Sequence, residues 1–157
     1  MENYNEKFMD EAVRLSVENV KKGGGPFGAV IVKNGKIIAR GVNMVTMLND
    51  PTCHAEVTAI REASGKLNNF DLSGCEIYSS CEPCPMCLGA IYWARIDKIY
   101  FANTKTDARN IGFDDSFIYD EMKIPAEKRK IPTVKVIHQS AIEAFKNWDE
   151  KTDKTEY

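Results

Sequence analysis

Two short stretches constrain this chain more than anything else in it: Pro51-Thr52-Cys53-His54-Ala55-Glu56 and Pro83-Cys84-Pro85-Met86-Cys87. Each reads as a helix start, and together they offer one imidazole and two thiols to a metal. Zn²⁺ takes nitrogen and thiolate ligands tetrahedrally, and a catalytic zinc site keeps three protein ligands with the fourth position open to water. His54, Cys84 and Cys87 supply that count. Cys84 and Cys87 stand three apart, so both face the same way on one helical turn. His54 and Glu56 stand two apart and point differently. Glu56 can therefore lie over the open position while His54 binds.

Other readings use the same residues. A closed structural zinc site would take Cys81 as fourth ligand and give Glu56 no role, and a trio of buried cysteines would hold no metal at all. An iron–sulfur cluster lacks its fourth thiolate at the required spacing, and Glu82-Pro83 breaks any helix between Cys81 and Cys84. Cys81, Cys53 and Cys75 read as packed thiols, although Cys53 lies beside a ligand and is placed to feel the metal. Glu56 alone is also an ordinary first-turn glutamate, favoured there by the helix dipole.

The 157 residues suit one domain, residues 1–157, with a proper core. An apolar fraction of 43% and a charged fraction of 28% are those of a soluble globular protein. A net charge of −2 supplies no global basic field, which argues against a nucleic-acid partner. No apolar run is long enough to span a bilayer and no signal-peptide pattern opens the chain, so a cytoplasmic protein is expected. There the odd count of five cysteines suits thiolate metal chemistry better than disulfides.

In chain order, residues 4–20 read as an amphipathic helix with Phe8, Ala12, Leu15 and Val20 on one face. Gly23-Gly24-Gly25-Pro26 ends it; no Gly-Lys-Ser/Thr follows, so the run reads as a turn and not a phosphate loop. Residues 27–33 and 36–42 are β-rich and flank Asn34-Gly35, a strong hairpin signal. A loop at 43–51 leads to a helix that Gly65 is expected to stop near Ser64. Residues 76–80 form a strand, 84–95 a helix with Leu88, Ile91 and Tyr92 packing inward, and 98–102 a strand. This alternation indicates an α/β layer with at least one parallel pairing. A short helix at 107–112, an aromatic and acidic loop at 112–119, a last strand at 134–137 and a helix at 141–150 complete the pattern.

His-x-Glu followed by Pro-Cys-x-x-Cys resembles the cytidine and purine deaminase superfamily, whose signature it is. The resemblance implies a cytidine deaminase-like fold, a three-layer α/β/α sandwich around a central mixed sheet of about five strands. It implies zinc as the cofactor, with zinc-bound hydroxide attacking the amine-bearing carbon and Glu56 shuttling protons to the ring nitrogen and the leaving amine. Over nearly the whole chain the sequence is similar to the small bacterial guanine deaminases. The likeness runs through Gly24-Gly25-Pro26-Phe27-Gly28-Ala29-Val30-Ile31-Val32, both metal motifs with Met86-Cys87-Leu88-Gly89-Ala90-Ile91-Tyr92-Trp93-Ala94, the segment 112–119, and Glu156-Tyr157. That narrower resemblance implies deamination of guanine to xanthine and ammonia. It implies a base pocket lined by Phe27, Asn43, Trp93 and Asp115, and a homodimer that exchanges C-terminal segments so that Tyr157 completes the partner's site. Guanine offers N–H donors along one edge, which suits an acceptor such as Asp115, and an amide such as Asn43 accepts and donates at once. The chain departs from the pattern at Cys53, where alanine is common, and over 133–154. Rival readings are a tRNA adenosine deaminase, a free cytosine or cytidine deaminase, and a non-enzymatic zinc-stabilised interaction domain.

Overall fold

Asn34 and Gly35 both take positive φ, 51° and 69°, and so close a tight hairpin between β1 (Gly28–Lys33) and β2 (Lys36–Val42). A computed structural model describes residues 4–157. The chain divides after Asp115 into two compact units. In the first, β1 pairs antiparallel with β2 on one side and with β3 (Cys75–Cys81) on the other. β3 pairs parallel with β4 (Lys98–Asn103), giving the order β2-β1-β3-β4. A parallel pair needs a crossover, and α4 (Pro85–Trp93) supplies it.

Both faces of β1 are buried, which explains its unbroken apolar run. Ala29 and Ile31 join Ile77 of β3 in one cluster with Ala55, Ala59 and Ala63 of α3 (Ala55–Leu67) and Ile91 of α4. Val30, Val32 and Tyr78 face the other way, against Ala12 of α1 (Glu6–Lys21), with Phe8 and Leu15 alongside. Helices thus cover both faces of a mixed sheet, the three layers expected. At Gly41 the approach is close enough that a Cβ would overlap the backbone of Ala55 and Ala59. Glycine lets β2 and α3 touch there.

Several local expectations are corrected. The sheet among the described residues has four strands, not about five. Residues 134–137 are irregular. They lie in the second unit, where no strand offers them a ladder, and Ile137 is 91% exposed. Apolar alternation cannot make a strand without a partner edge. Gly65 does not stop α3, because one interior glycine costs only about 1 kcal/mol. The helix runs on to Leu67 and ends where Asn68 turns left-handed at φ 48°. Val20 is exposed, and Asn19 takes the inward position. Ile91 packs inward but Tyr92 does not. The loop at 43–51 contains one helical turn, α2 (Val45–Leu48). The helix expected at 107–112 is α5 (Lys105–Asn110), started by a Thr104–Asp107 capping box.

The second unit carries α6 (Ser116–Lys123), in place of part of the expected loop, and α7 (Glu143–Glu150), preceded by a short 3₁₀ turn. No helix among the described residues is long and apolar enough to cross a membrane.

Candidate active site

Both metal motifs open helices, as their cap chemistry dictates. His54 is the N-cap of α3, with extended backbone at φ −74°, ψ 160°. Cys84 is the N-cap of α4 at φ −66°, ψ 168°, and Pro85 follows in the first turn, where proline's missing N–H costs nothing. Cys87 comes one turn in and is fully buried. The sheet brings the two helix starts together. His54 Nδ1 lies 3.5 Å from Cys84 Sγ and 3.5 Å from Cys87 Sγ, and the three donor atoms sit within 4.8 Å of one another. A tetrahedral ion with Zn–N near 2.0–2.1 Å and Zn–S near 2.3 Å requires an N to S distance of about 3.5 Å. The donor set therefore fits zinc.

The Cys84 thiol is poised for the anionic form that binds a metal. Cys87 and then His54 hydrogen-bond to the Cys84 sulfur, and together they hold its thiol well below the ordinary cysteine value. A helix N-terminus acts in the same direction. Cys87, which makes the corresponding bond to Cys84 and is buried, is pushed up. His54 is raised by its bond to Cys84.

Glu56 stands beside this group and is 6% exposed. Ser79 Oγ of β3 donates to Glu56 Oε1 at 3.0 Å, and burial raises the Glu56 carboxyl above its ordinary value. The Ser79 contact escaped the sequence reading. Its only signal is a serine where Cys75 and Ile77 put buried apolar residues on the same face of β3.

A cavity of about 480 Å³ opens over these residues, within the range of small-molecule sites. Its walls include Phe27, Asn43, His54, Glu56, Cys84 and Asp115. Phe113, on the wall as well, meets Phe27 edge to face with centroids 5.0 Å apart. Asn43 is buried; its backbone N–H donates to Phe27 O at 3.2 Å and its Oδ1 accepts from Val45 N at 3.3 Å. Burial raises the Asp115 carboxyl. Trp93 does not line the cavity: it ends α4 and is 68% exposed. Tyr157 belongs to the second unit, 72% exposed, with its ring edge-on to Trp148.

The remaining cysteines stay outside the donor group. Cys81 Sγ points to Thr104 O at 3.6 Å, and burial pushes its thiol up to about 11. Cys53 Sγ turns to Asp50 Oδ2 at 3.1 Å and Arg61 at 3.4 Å, and the bond to Asp50 keeps it a thiol.

The chain is similar to known deaminases in sequence and in structure. Guanine deaminase of Bacillus subtilis is 55% identical over 153 residues, covering 97% of this chain and 98% of that protein. The crystal structure of guanine deaminase from the same organism superposes with a TM-score of 0.96 at 54% identity, over 99% of both chains. The tRNA-specific adenosine deaminase of Aquifex aeolicus is 46% identical over 97 residues, 62% of this chain and 64% of that one. The family profile described as the cytidine and deoxycytidylate deaminase zinc-binding region matches residues 2–103. That span contains all three residues of the zinc-fitting donor set, so zinc is the cofactor of this fold. On these likenesses of sequence and structure, the chain belongs to the cytidine and deoxycytidylate deaminase family.

Proposed function

We propose that this chain hydrolyses guanine to xanthine and ammonia, with His54, Cys84 and Cys87 holding zinc and Glu56 carrying protons. The cavity carries the reading: its walls bring the buried Glu56, His54 and Cys84 together with Asn43 and Asp115 around a space for one small molecule. Likeness to guanine deaminase along the whole chain, the second unit included, supports the choice of base. Bound zinc supplies Lewis acidity that makes hydroxide available near neutral pH. Glu56 takes the proton released by the attacking water and gives it to the ring nitrogen beside the amine-bearing carbon; it then takes the proton of the newly added hydroxyl, which becomes the product carbonyl, and gives it to the departing amine. Ser79 donates to Oε1 and so steadies the carboxylate for these transfers. Asp115 accepts from the N–H edge of guanine, Asn43 pairs with a neighbouring polar atom, and Phe27 packs against the ring.

The test is ammonia release from guanine, adenine, cytosine, cytidine and an anticodon stem-loop. Guanine is expected to react at least about a hundredfold faster than the others, since unpaired buried polar groups discriminate strongly. Faster reaction of the stem-loop would favour the second reading, a tRNA adenosine deaminase, which the Aquifex likeness supports. Against it stand the net charge of −2 and the acidic, aromatic segment around Asp114 and Asp115. Five cysteines without a disulfide suit the cytoplasm.

Residues 1–157 act in this proposal as one deaminase domain that works as a homodimer, with C-terminal segments exchanged and Tyr157 completing the partner's site. The exposed Val134, Val136, Ile137 and Phe145 of the second unit support such a covering partner. Deleting Glu156-Tyr157 is expected to raise KM or lower kcat for guanine while zinc content and Tm stay nearly constant. Co-expression with a Glu56→Gln chain should restore some activity, because one site of the mixed dimer then has both Glu56 and a tail. Wild-type kinetics in the truncated protein would reject the tail's role. Impaired kinetics without rescue in verified heterodimers would assign Tyr157 to its own subunit's site.

A further inference from the structure

We propose that Asn19 of α1, far in sequence from both metal motifs, is a positioning residue for the substrate pocket. A closed ring of hydrogen bonds runs through it. Asn19 Nδ2 donates to Gly25 O at 2.8 Å and to Asn43 O at 2.7 Å. Gly25 O also accepts from Phe27 N at 2.9 Å, and Phe27 O accepts from Asn43 N at 3.2 Å. The circuit Asn19–Gly25–Phe27–Asn43–Asn19 thus joins the two residues that face the base to a single side-chain amide. Asn19 is 3% exposed, so both N–H groups of its amide meet these carbonyls in a setting where no solvent competes. The Asn19 backbone carbonyl accepts from Gly24 N at 2.9 Å, which fixes the start of the turn.

The turn is shaped to the same end. A Cβ on Gly24 would overlap the Asn19 side chain, and one on Gly25 would stand 2.9 Å from Cγ and Oδ1 of Asn43. The Gly-Gly-Gly-Pro run is therefore a spacer that lets Asn43 reach its place, and Asn19 is the clamp that keeps it there. A polar residue at an inward position of α1 costs core contact, so its burial has to be compensated by the carbonyls it satisfies. Those carbonyls belong to Gly25 and Asn43, two residues that line the pocket.

This inference rests on the base-binding role given to Asn43 and Phe27 above. Its test uses whichever base of the panel the wild-type enzyme turns over, so a failure of the guanine assignment shows in the wild type and a failure here shows in the variants. Asn19→Ala is expected to raise KM by about tenfold or more, as for the loss of one well-placed hydrogen bond to the base. kcat should stay within about threefold, since Glu56 and the zinc donors lie outside the ring of hydrogen bonds, and zinc content should be unchanged. Gly25→Ala, which displaces Asn43 directly, should do the same, and it carries the test if Asn19→Ala does not fold. In an Asn43→Ala background, Asn19→Ala should add less than about twofold to KM, because residues acting through one another are not additive. An unchanged KM in Gly25→Ala, or an Asn19→Ala effect that multiplies fully onto Asn43→Ala, overturns the proposal. So does a fall in kcat and Tm with no rise in KM, which is the behaviour of a merely structural amide.

Discussion

Replacing Glu56 with glutamine is expected to leave a folded, zinc-loaded protein with almost no turnover. General acid–base catalysis is typically worth about 10²–10⁴-fold. In the proposed reaction one carboxylate serves the attacking water, the ring nitrogen and the leaving amine in turn, so the loss in kcat should reach or exceed the upper end of that range. Glutamine has nearly the same shape, and its oxygen can still accept from Ser79 Oγ, now 3.0 Å from Glu56 Oε1. KM and zinc content should therefore barely move. Stability should not fall either. Burial raises the Glu56 carboxyl above its ordinary 4.5, so the folded zinc-free protein binds the proton more tightly than the unfolded chain does. That contribution is complete below pH 4.5 and is lost as pH rises through the folded value. At pH 7 to 8 the zinc-free Glu56→Gln protein should thus melt no lower than zinc-free wild type. A variant that keeps a tenth of the wild-type kcat would falsify the proton-carrying role. One that loses its zinc would show instead that Glu56 supports the metal site.

What could be read from residues alone follows the range of the forces involved. The hairpin at Asn34-Gly35 and the helix starts at His54 and Cys84 are local, set by φ preferences and capping within a few residues, and they were legible. The convergence of His54 with Cys84 and Cys87 was legible too, because a three-ligand metal site has few other ways to form. Asn19 was not. A helix of this pattern is equally satisfied by turning Val20 inward, and only the distant carbonyls of Gly25 and Asn43 make Asn19 the better buried residue. Ser79 likewise looks like an interruption in a core strand until Glu56 is packed above it. Residues 134–137 mislead for the opposite reason. Their alternation is real, but a strand is defined by the edge it pairs with, and the second unit contains no strand among its described residues. The role of Trp93 came from resemblance alone, and a single chain leaves that side chain outside the cavity.

Losing the metal should be the other large effect, and its pattern across the cysteines separates a catalytic site from a structural one. Cys84→Ala or Cys87→Ala is expected to reduce zinc from about one per chain to near zero and to bring activity below detection, since two protein ligands cannot maintain a tetrahedral site. Zinc binding to structural sites in zinc-finger peptides is worth about 10–16 kcal/mol, and there folding depends on it outright. Here the sheet has its own core on both faces, around Ile31 and Ile77 on one side and Val30 and Tyr78 on the other. The zinc-free chain should consequently stay folded but melt well below the holoenzyme, with Tm rising again as zinc is added back to wild type. Cys81→Ser is the decisive control. Its sulfur points to Thr104 O and not to the three donors, and a serine hydroxyl can make the same bond, so metal and activity should survive. If Cys81→Ser protein comes through purification without zinc, four ligands close the site, no position is left for water, and the hydrolytic reading fails with it. If zinc remains and guanine is still turned over, the open fourth position stands, and Glu56 is the side chain placed beside it to handle the protons.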